Sequence, residues 1–321
     1  MNFDLDDDER ALQAGIRDLC RSETNPDHPR ALEASGGVDR DSWGALGTAG
    51  VFALRLPEDG GGVGLATTQA VLVFEELGRA NVPGPLVATH LAAGLIDGAA
   101  QGQICVGLVE RPATGPAVIE NLAALDALVV LDEEGVWSVP PDSLEAEAVP
   151  APLDPLTPVH RVENLPQGES LAAAEDAARW RLEGGALTAA LCVGLATAAT
   201  DAAVAYAKER HQFDRPIGSF QAVKHLCADM LVRAEIARAA TYAAGAILDD
   251  PSAGDPVRAV ASALLLGAEA AYANGKDCIQ VHGGMGFTWE GRVHLYLKRA
   301  TVLRTQFGGA AEQAETVAAA L

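Results

Sequence analysis

The segment from Tyr206 to Gln221 reads YAKERHQFDRPIGSFQ and combines basic and amide side chains around a predicted turn. Arg210 lies just before the turn, and its planar set of N–H donors suits phosphate. Gln221 begins the next predicted helix, where free backbone N–H groups and the positive end of the helix dipole favour anions. The segment fits a pyrophosphate site, and it also fits an ordinary helix hairpin with an exposed arginine.

A second segment, from Gln280 to Glu290, reads QVHGGMGFTWE and ends a long predicted helix. Gly283 and Gly284 allow the backbone to turn and a ligand to approach closely. The amide of Gln280 suits a ribose or another amide. A simple glycine end to the helix explains the same residues, so both interpretations remain open.

Other cofactor and metal motifs fail on their spacing. The glycines at 60–64 do not fit GxGxxG, because the register that begins at Gly60 ends on Leu65. The sequence contains no phosphate loop, no HExxH and no GxSxG. The seven histidines show no ligand spacing and the five cysteines form no CxxC pair. We therefore predict no metal site and no disulfide framework.

The composition narrows the class of protein. The chain has 321 residues, 49% hydrophobic composition and a formal net charge of −21. Nucleic acid is an unfavourable partner, because binding its backbone needs a basic surface. The acidic N-terminus lacks the features of a secretion signal, and no apolar run has the length of roughly 18–20 residues that a membrane span needs. These features predict a cytoplasmic protein that does not bind membranes.

Apolar spacing predicts helices through the first hundred residues, interrupted by a glycine-rich loop at 57–64. In the helix after that loop, Ala70 and Phe74 fall on the buried face, whereas Glu75 and Glu76 fall on the opposite face. Strand-type runs follow at 104–109, 127–131 and 135–139, and the last two are separated by turn residues typical of a hairpin.

The rest of the chain is predicted to be helical after a proline-rich stretch. Long helices over 171–210, 221–248, 256–282 and 292–305 indicate an antiparallel bundle. The predicted fold is mainly α with a small β-domain. Its parts are an N-terminal helical domain at 1–101, a short β middle domain at 102–168 and a C-terminal four-helix bundle at 169–321.

The two C-terminal segments, in this order, resemble the paired signatures of the acyl-CoA dehydrogenase family. The loop PEDGGGVG at 57–64 resembles the family's PE-x-GG-x-G loop, and FEELGRA at 74–80 resembles the helix after it. The resemblance covers most of the chain and implies the family fold. It also implies the family chemistry, in which a glutamate removes the α-proton of an acyl-CoA and FAD accepts the β-hydrogen as hydride.

In family tetramers, the matching bundle segments contact the FAD of the neighbouring subunit. The resemblance therefore implies FAD-binding roles for Arg210, Gln212, Phe213, Gln221, Gln280, Gly283 and Gly284.

The sequence departs from the family where the catalytic base and the ring contacts are expected. The position of the usual glutamate falls on Phe307, which cannot accept a proton. Some members place the base on the helix before Arg210, and the matching position in this chain is next to Glu183. Glu183 is therefore a weak candidate base, and Glu290 is a weaker one. The middle domain lacks the family's flavin-cradling segment, of which Val109-Glu110-Arg111-Pro112 is at most a remnant.

These departures resemble the short subunit of bacterial α2β2 acyl-CoA dehydrogenases, several of which act on steroid-derived CoA thioesters. The resemblance implies a full-length partner subunit, an acyl-CoA substrate and an electron acceptor such as electron-transfer flavoprotein. Two alternatives remain: a self-sufficient homo-oligomeric dehydrogenase that uses Glu183, and a non-catalytic scaffold or CoA-ester-binding protein with the same fold.

Overall fold

Helices dominate the computed structural model, which describes residues 5–23 and 36–319. Within those ranges the α-helices are α1 (Asp7–Glu23), α2 (Arg40–Thr48), α3 (Thr67–Arg79), α4 (Leu86–Ala92), α5 (Ala174–Glu209), α6 (Gln221–Asp249), α7 (Pro256–His282), α8 (Val293–Leu303) and α9 (Ala310–Ala319). The predicted mainly helical fold is confirmed.

Strands occupy the middle of the chain and one short hairpin in the bundle. They are β1 (Val106–Glu110), β2 (Ala117–Glu120), β3 (Ala127–Leu131), β4 (Gly135–Val139), β5 (Ala146–Ala148), β6 (Val159–Val162), β7 (Glu169–Ala173), β8 (His211–Gln212) and β9 (Arg215–Pro216). One sheet has the order β1-β3-β4-β7, with β1 and β3 parallel and the other pairs antiparallel. A second sheet has the antiparallel order β2-β6-β5.

Several strands depart from the predicted elements. The predicted helical start near 171 is wrong, because Glu169–Ala173 pairs with β4 as an edge strand and the helix begins only at Ala174. Strand β5 has three exposed residues and therefore no apolar alternation to reveal it. The predicted last helix over 292–305 is shorter, and α9 follows it as a separate helix.

Contact clustering divides the chain into two compact units. Of the described residues, the first contains 5–20, 71–82 and 185–319, and the second contains 21–23, 36–70 and 83–184. All five cysteines are free thiols.

Asn274 joins three helices of the first unit through its fully buried side-chain amide. Its Nδ2 donates to the carbonyl oxygen of Met230 at 2.8 Å, to Thr200 Oγ1 at 3.1 Å and to the carbonyl oxygen of Ala196 at 3.2 Å. Its Oδ1 accepts from Arg233 Nε at 2.8 Å. Every polar atom of the amide is therefore satisfied, and the contacts fix the relative register of α5, α6 and α7.

Glu75 and Glu76, predicted on the face opposite the apolar one, are both buried in the first unit. Glu76 is 3% exposed and forms a bidentate pair with Arg17 at 2.6 and 2.9 Å. Glu75 is 4% exposed and accepts from Arg238 Nε at 2.9 Å and from the Tyr242 hydroxyl at 2.8 Å. Distant cations compensate the two buried charges, and a local sequence pattern cannot reveal such partners.

Helix α5 is apolar along much of its length. It is the one helix in the described ranges that is long and apolar enough to cross a membrane, with a mean hydropathy of 1.6 in its most apolar window. The expectation that no apolar run reaches such a length is therefore wrong for this helix. That window is 78% buried within the protein, as expected of a core helix in a soluble protein.

Candidate functional site

Helix α5 ends at a two-residue hairpin that presents an aromatic side chain to solvent. Gln212 pairs with Arg215, which leaves Phe213 and Asp214 as the turn residues. Both have left-handed backbone conformations, with φ of 53° and 63°. Hairpin turns of this type favour Asn and Gly, so a phenylalanine here is held in an uncommon conformation. The Phe213 side chain is 86% exposed.

A 3-10 turn over Ile217–Ser219 follows this hairpin, and helix α6 then begins without a side-chain cap. The backbone of Arg210 is fixed on both sides, because its N–H donates to the Tyr206 carbonyl and its own carbonyl accepts from the Ile217 N–H, each at 2.8 Å. Phe220 is the residue before the helix, and its side chain makes no capping hydrogen bond. The first N–H groups of α6, beginning at Gln221, therefore lack an internal side-chain acceptor.

The second predicted segment continues α7 into a single 3-10 turn over Gly283–Phe287. Gly283 has φ of 60°, which favours glycine. A Cβ added at Gly284 would meet no atom within 4 Å, so packing inside the chain does not explain the glycine there. The backbone at Gly284 is open to an approaching molecule.

The two segments lie together at one end of the bundle. Tyr206, near the end of α5, stacks on His282, the last residue of α7, with ring centroids 4.2 Å apart. Buried Ala207 and Ile279 belong to the same apolar cluster, against which Ile217 packs. We call this the bundle end: residues 206–221 and 280–287.

All seven predicted cofactor-binding residues lie at the bundle end with solvent-exposed positions. They are Arg210, Gln212, Phe213, Gln221, Gln280, Gly283 and Gly284. The assignment of these residues to FAD stays a prediction, because no cofactor is part of the structure.

The bundle end is locally basic in a strongly acidic protein. Residues 206–225 contain four lysines and arginines against two acidic residues, Glu209 and Asp214, although the whole chain carries −21. The guanidinium of Arg215 lies over the Phe220 ring at 4.1 Å. The side chain of Arg210 has no acidic partner among the described residues, unlike Arg238 in the core. Arg210 is thus available to an anion.

Glu183 lies elsewhere, in a cavity of the second unit. The cavity has a volume of about 470 Å³. Glu183 is 14% exposed, and its Oε1 lies 3.4 Å from Arg55 Nε and 3.6 Å from His90 Nε2. Burial alone would raise the pKa of Glu183, but the hydrogen bond from His90 and the charge of Arg55 outweigh it and lower that pKa. Glu183 is therefore a carboxylate at neutral pH and, because of its low pKa, a weak proton acceptor.

Sequence reasoning missed Arg55 and His90 as neighbours of Glu183. Arg55 follows α2 and His90 lies on α4, so both are far from Glu183 along the chain. His90 Nδ1 lies 3.3 Å from the Val51 carbonyl oxygen, which orients the ring and directs Nε2 toward the carboxylate. The one sequence signal for His90 is the occurrence of a histidine among the apolar residues of α4.

The position predicted for the usual base carries no carboxylate. Phe307 lies in the turn between α8 and α9 with φ of 52°, and its carbonyl accepts from Gln313 Nε2 at 2.6 Å. Glu290 is exposed near the bundle end. Neither position provides a buried proton acceptor.

The remnant of the flavin-cradling segment has internal partners. Glu110 pairs with Arg181 Nε at 2.8 Å, and Arg111 pairs with Asp132 at 3.1 Å. Arg111 also donates to the carbonyl oxygens of residues 165 and 166, each at 2.9 Å. These contacts join the end of β1 to α5, to Asp132 and to the loop at 165–166, so both side chains are engaged within the chain.

Models of two acyl-CoA dehydrogenase regions match this chain: the N-terminal domain over residues 6–102 and the C-terminal domain over residues 176–321. The acyl-CoA dehydrogenase IpdE2 of Mycolicibacterium smegmatis is 32% identical over 310 residues, which cover 92% of this chain and 93% of that protein. The chain belongs to the acyl-CoA dehydrogenase family.

The acyl-CoA dehydrogenase FadE34 of Mycobacterium tuberculosis is 35% identical over 323 residues, which cover 86% of this chain but 41% of that protein. The chain therefore spans less than half the length of this relative. Among solved structures, the ChsE4-ChsE5 complex from Mycobacterium tuberculosis contains a chain with a TM-score of 0.83 and 22% identity, covering 99% of this chain and 98% of that one. This similarity confirms the fold.

Proposed function

We propose that this chain is one subunit of a heteromeric, FAD-dependent acyl-CoA dehydrogenase, in which it completes a flavin site held mainly by a full-length partner. The observation that carries the proposal is the bundle end. Seven residues suited to a dinucleotide are exposed there, among them Arg210, which has no acidic partner among the described residues.

The donor set fits the phosphate and adenosine part of FAD. Arg210 would hold the pyrophosphate, and the uncapped start of α6 at Gln221 would add backbone N–H donors. Gln280 would bind through its amide, and Gly284 would allow close approach of the backbone. Flavin, when bound, supplies the hydride acceptor for the oxidation of the acyl-CoA at its α and β carbons.

The residues expected to contact the flavin ring, and those expected to act as the base, do not fit these roles. Glu110 pairs with Arg181 of α5, and Arg111 pairs with Asp132. The positions of the usual base hold no carboxylate, and Glu183 is a weak proton acceptor because Arg55 and His90 stabilise its ionised form. The partner subunit would therefore provide the ring contacts and the base, and the assembly would be α2β2.

Relatives support a two-component assembly and suggest the substrate class. The structural neighbours include the ChsE4-ChsE5 complex and a two-component protein described as the Tcur3481-Tcur3483 steroid ACAD, which has a TM-score of 0.82 and 22% identity. By analogy, the substrate would be a bulky, ring-containing acyl-CoA, and electrons would pass to an acceptor such as electron-transfer flavoprotein.

The test is to purify the chain alone and together with a co-expressed full-length acyl-CoA dehydrogenase subunit, and to measure flavin per chain and acyl-CoA oxidation. We expect little flavin in the chain alone, and both flavin and activity in the complex. Flavin and activity in the chain alone would instead select the self-sufficient enzyme. Absence of flavin from both preparations would select the non-catalytic scaffold.

A further inference from the structure

We propose that the outward face of α6 is an interface between two copies of this chain, which pack α6 against α6 in antiparallel orientation. The proposal concerns the chain alone and needs neither flavin nor a full-length partner.

The solvent side of α6 carries large apolar side chains. Leu231, Val232 and Ile236 are 53%, 55% and 52% exposed, although the opposite side of the same helix already buries Met230 and Ala234 in the core. A surface helix normally turns polar residues to solvent, and a continuous exposed apolar surface marks an interaction site. The outward side of α6 therefore needs a second apolar surface to cover it.

The apolar positions form one stripe along the helix. Ala228, Val232, Ile236, Ala239 and Ala243 follow one another at intervals of three or four residues, which keeps them on one side of an α-helix. The first four are exposed and the last is half-buried. We call these five residues the α6 stripe. The stripe has its large residues near the middle of α6 and alanines toward both ends.

This order of large and small residues fits a second copy of the same helix. The midpoint of α6 falls at Glu235, so antiparallel packing about that point would place Val232 of one copy at the level of Ala239 of the other. The two-fold axis repeats the contact in the reverse sense, as in any isologous interface. Large side chains of each copy would then fill the space above alanines of the other, which is how helix surfaces interlock.

The charges at the two ends of α6 favour the antiparallel orientation. Lys224, in the first turn, is exposed and has no acidic partner among the described residues. Asp249 and Asp250 are exposed at the other end of the helix. Antiparallel packing would bring Lys224 of each copy close to the level of Asp249 of the other, and it also opposes the two helix dipoles. Parallel packing would place like charges together.

Charged residues beside the stripe are largely neutralised within the chain. Arg233 pairs with Asp277 of α7, and Glu235 pairs with Arg238 one turn further along α6. The whole chain carries a formal charge of −21, which opposes self-association in general. A second copy approaching along α6 would nevertheless meet little uncompensated charge at the centre of the contact.

The size of the face predicts a weak dimer. Helix α6 has 29 residues, so it is about 45 Å long and about 10 Å across. Each copy would bury about 400 Å² through this face, which is well below the roughly 800 Å² per partner of a standard interface. We therefore expect a dissociation constant on the order of 10 µM.

The test is sedimentation equilibrium of the full chain from about 1 to about 200 µM, a range that brackets the expected constant. A reversible equilibrium between monomer and dimer is the expected result. A chain that stays monomeric over the whole range would overturn the proposal, and so would a dimer that no change in α6 weakens.

A matched pair of variants locates the contact. Val232→Glu would bury a charge from each copy and should weaken the dimer by about a hundredfold or more. Val118→Glu makes the same change at an equally exposed valine, 56% exposed, on β2 of the second unit, and should leave the dimer unchanged. Equal effects of the two variants would contradict the assignment to α6. Urea unfolding of both variants checks that each retains the native fold.

Two further changes test the packing and the orientation. Ala239→Phe keeps the stripe apolar but fills the space that Val232 of the other copy would occupy, so the dimer should weaken about tenfold; a tighter dimer would show non-specific apolar association instead. Lys224→Glu and Asp249→Lys should each weaken the dimer by about tenfold, since two ion pairs become like-charge contacts. Together they should restore wild-type affinity, and failure of the double variant to do so would overturn the antiparallel arrangement.

Flavin content has no part in this assay. A monomeric chain would leave the proposed dehydrogenase function intact, and a complex without flavin would leave the α6 interface intact.

Discussion

Replacing Arg210 by alanine separates a role in ligand binding from a role in folding. The Arg210 side chain is exposed and has no acidic partner among the described residues, whereas its backbone is fixed by hydrogen bonds to Tyr206 and Ile217. Truncation of the side chain therefore removes no ion pair or side-chain hydrogen bond among the described residues. We expect the stability of the chain to change by no more than about 0.5 kcal/mol, as is usual for such surface positions.

Flavin binding should respond strongly to the same change. A hydrogen bond between an arginine and a phosphate contributes about 1.5–3 kcal/mol. Since tenfold in Kd corresponds to about 1.4 kcal/mol, FAD should bind the Arg210→Ala complex about ten- to a hundredfold more weakly. The assay is titration of the flavin-stripped complex with FAD, followed by flavin fluorescence, with urea unfolding of the same variant as the measure of stability.

Arg258→Ala is the matched control. Arg258 is also exposed, but it lies in the first turn of α7, whereas the bundle end lies at the last turn of that helix. The Arg258→Ala variant removes one positive charge, as Arg210→Ala does, and should leave the affinity for FAD unchanged. If FAD bound both variants more weakly by the same factor, the general loss of positive charge would explain the result. If Arg210→Ala bound FAD as wild type does, the reasoning from the bundle end would be refuted.

Three further predictions concern the buried polar groups. Tyr242→Phe removes the donor to the buried carboxylate of Glu75 and should lower the free energy of unfolding by about 2 kcal/mol in urea titrations; a change below about 0.5 kcal/mol would contradict a structural role for this bond. Asn274→Ala leaves its partners in α5 and α6 without their shared amide and should cost about 2–4 kcal/mol in the same assay; a cost below about 0.5 kcal/mol would contradict the role of this amide in joining the helices. The low pKa of Glu183 means that pairing with Arg55 and His90 stabilises the fold above the ordinary pKa of 4.5 and is lost as the pH falls below it. The stability difference between wild type and Glu183→Gln should therefore be constant from about pH 7 to about pH 5 and shrink below, and a difference that grew on acidification would have the wrong sign.

Elements with strong local signals could be predicted from the sequence to within a residue or two. Ala127–Leu131 and Gly135–Val139 were predictable because two apolar runs flank an obvious turn. Helix α7 begins at Pro256 because Asp255 caps it, with Oδ1 accepting from the Val257 N–H at 2.9 Å. Each of these signals is contained in a few consecutive residues and needs no distant partner.

Features that depend on distant partners could not be predicted in this way. Glu75 looks like a surface residue in its own helix, yet Arg238 and Tyr242 make its burial possible. The strand at 169–173 exists because β4 offers a free edge, although its own residues are compatible with a helix. Arg55 and His90 come to Glu183 only through the fold. In each case the deciding interaction joins parts of the chain that no local pattern connects.

The most direct measurement is an experimental structure of the flavin-loaded complex of this chain with its full-length partner. The account predicts a pyrophosphate oxygen of FAD at about 3 Å from the Arg210 guanidinium, with Gln280 and Gly284 lining the same cofactor. A complex in which FAD is bound but residues 206–221 and 280–287 face bulk solvent would contradict it.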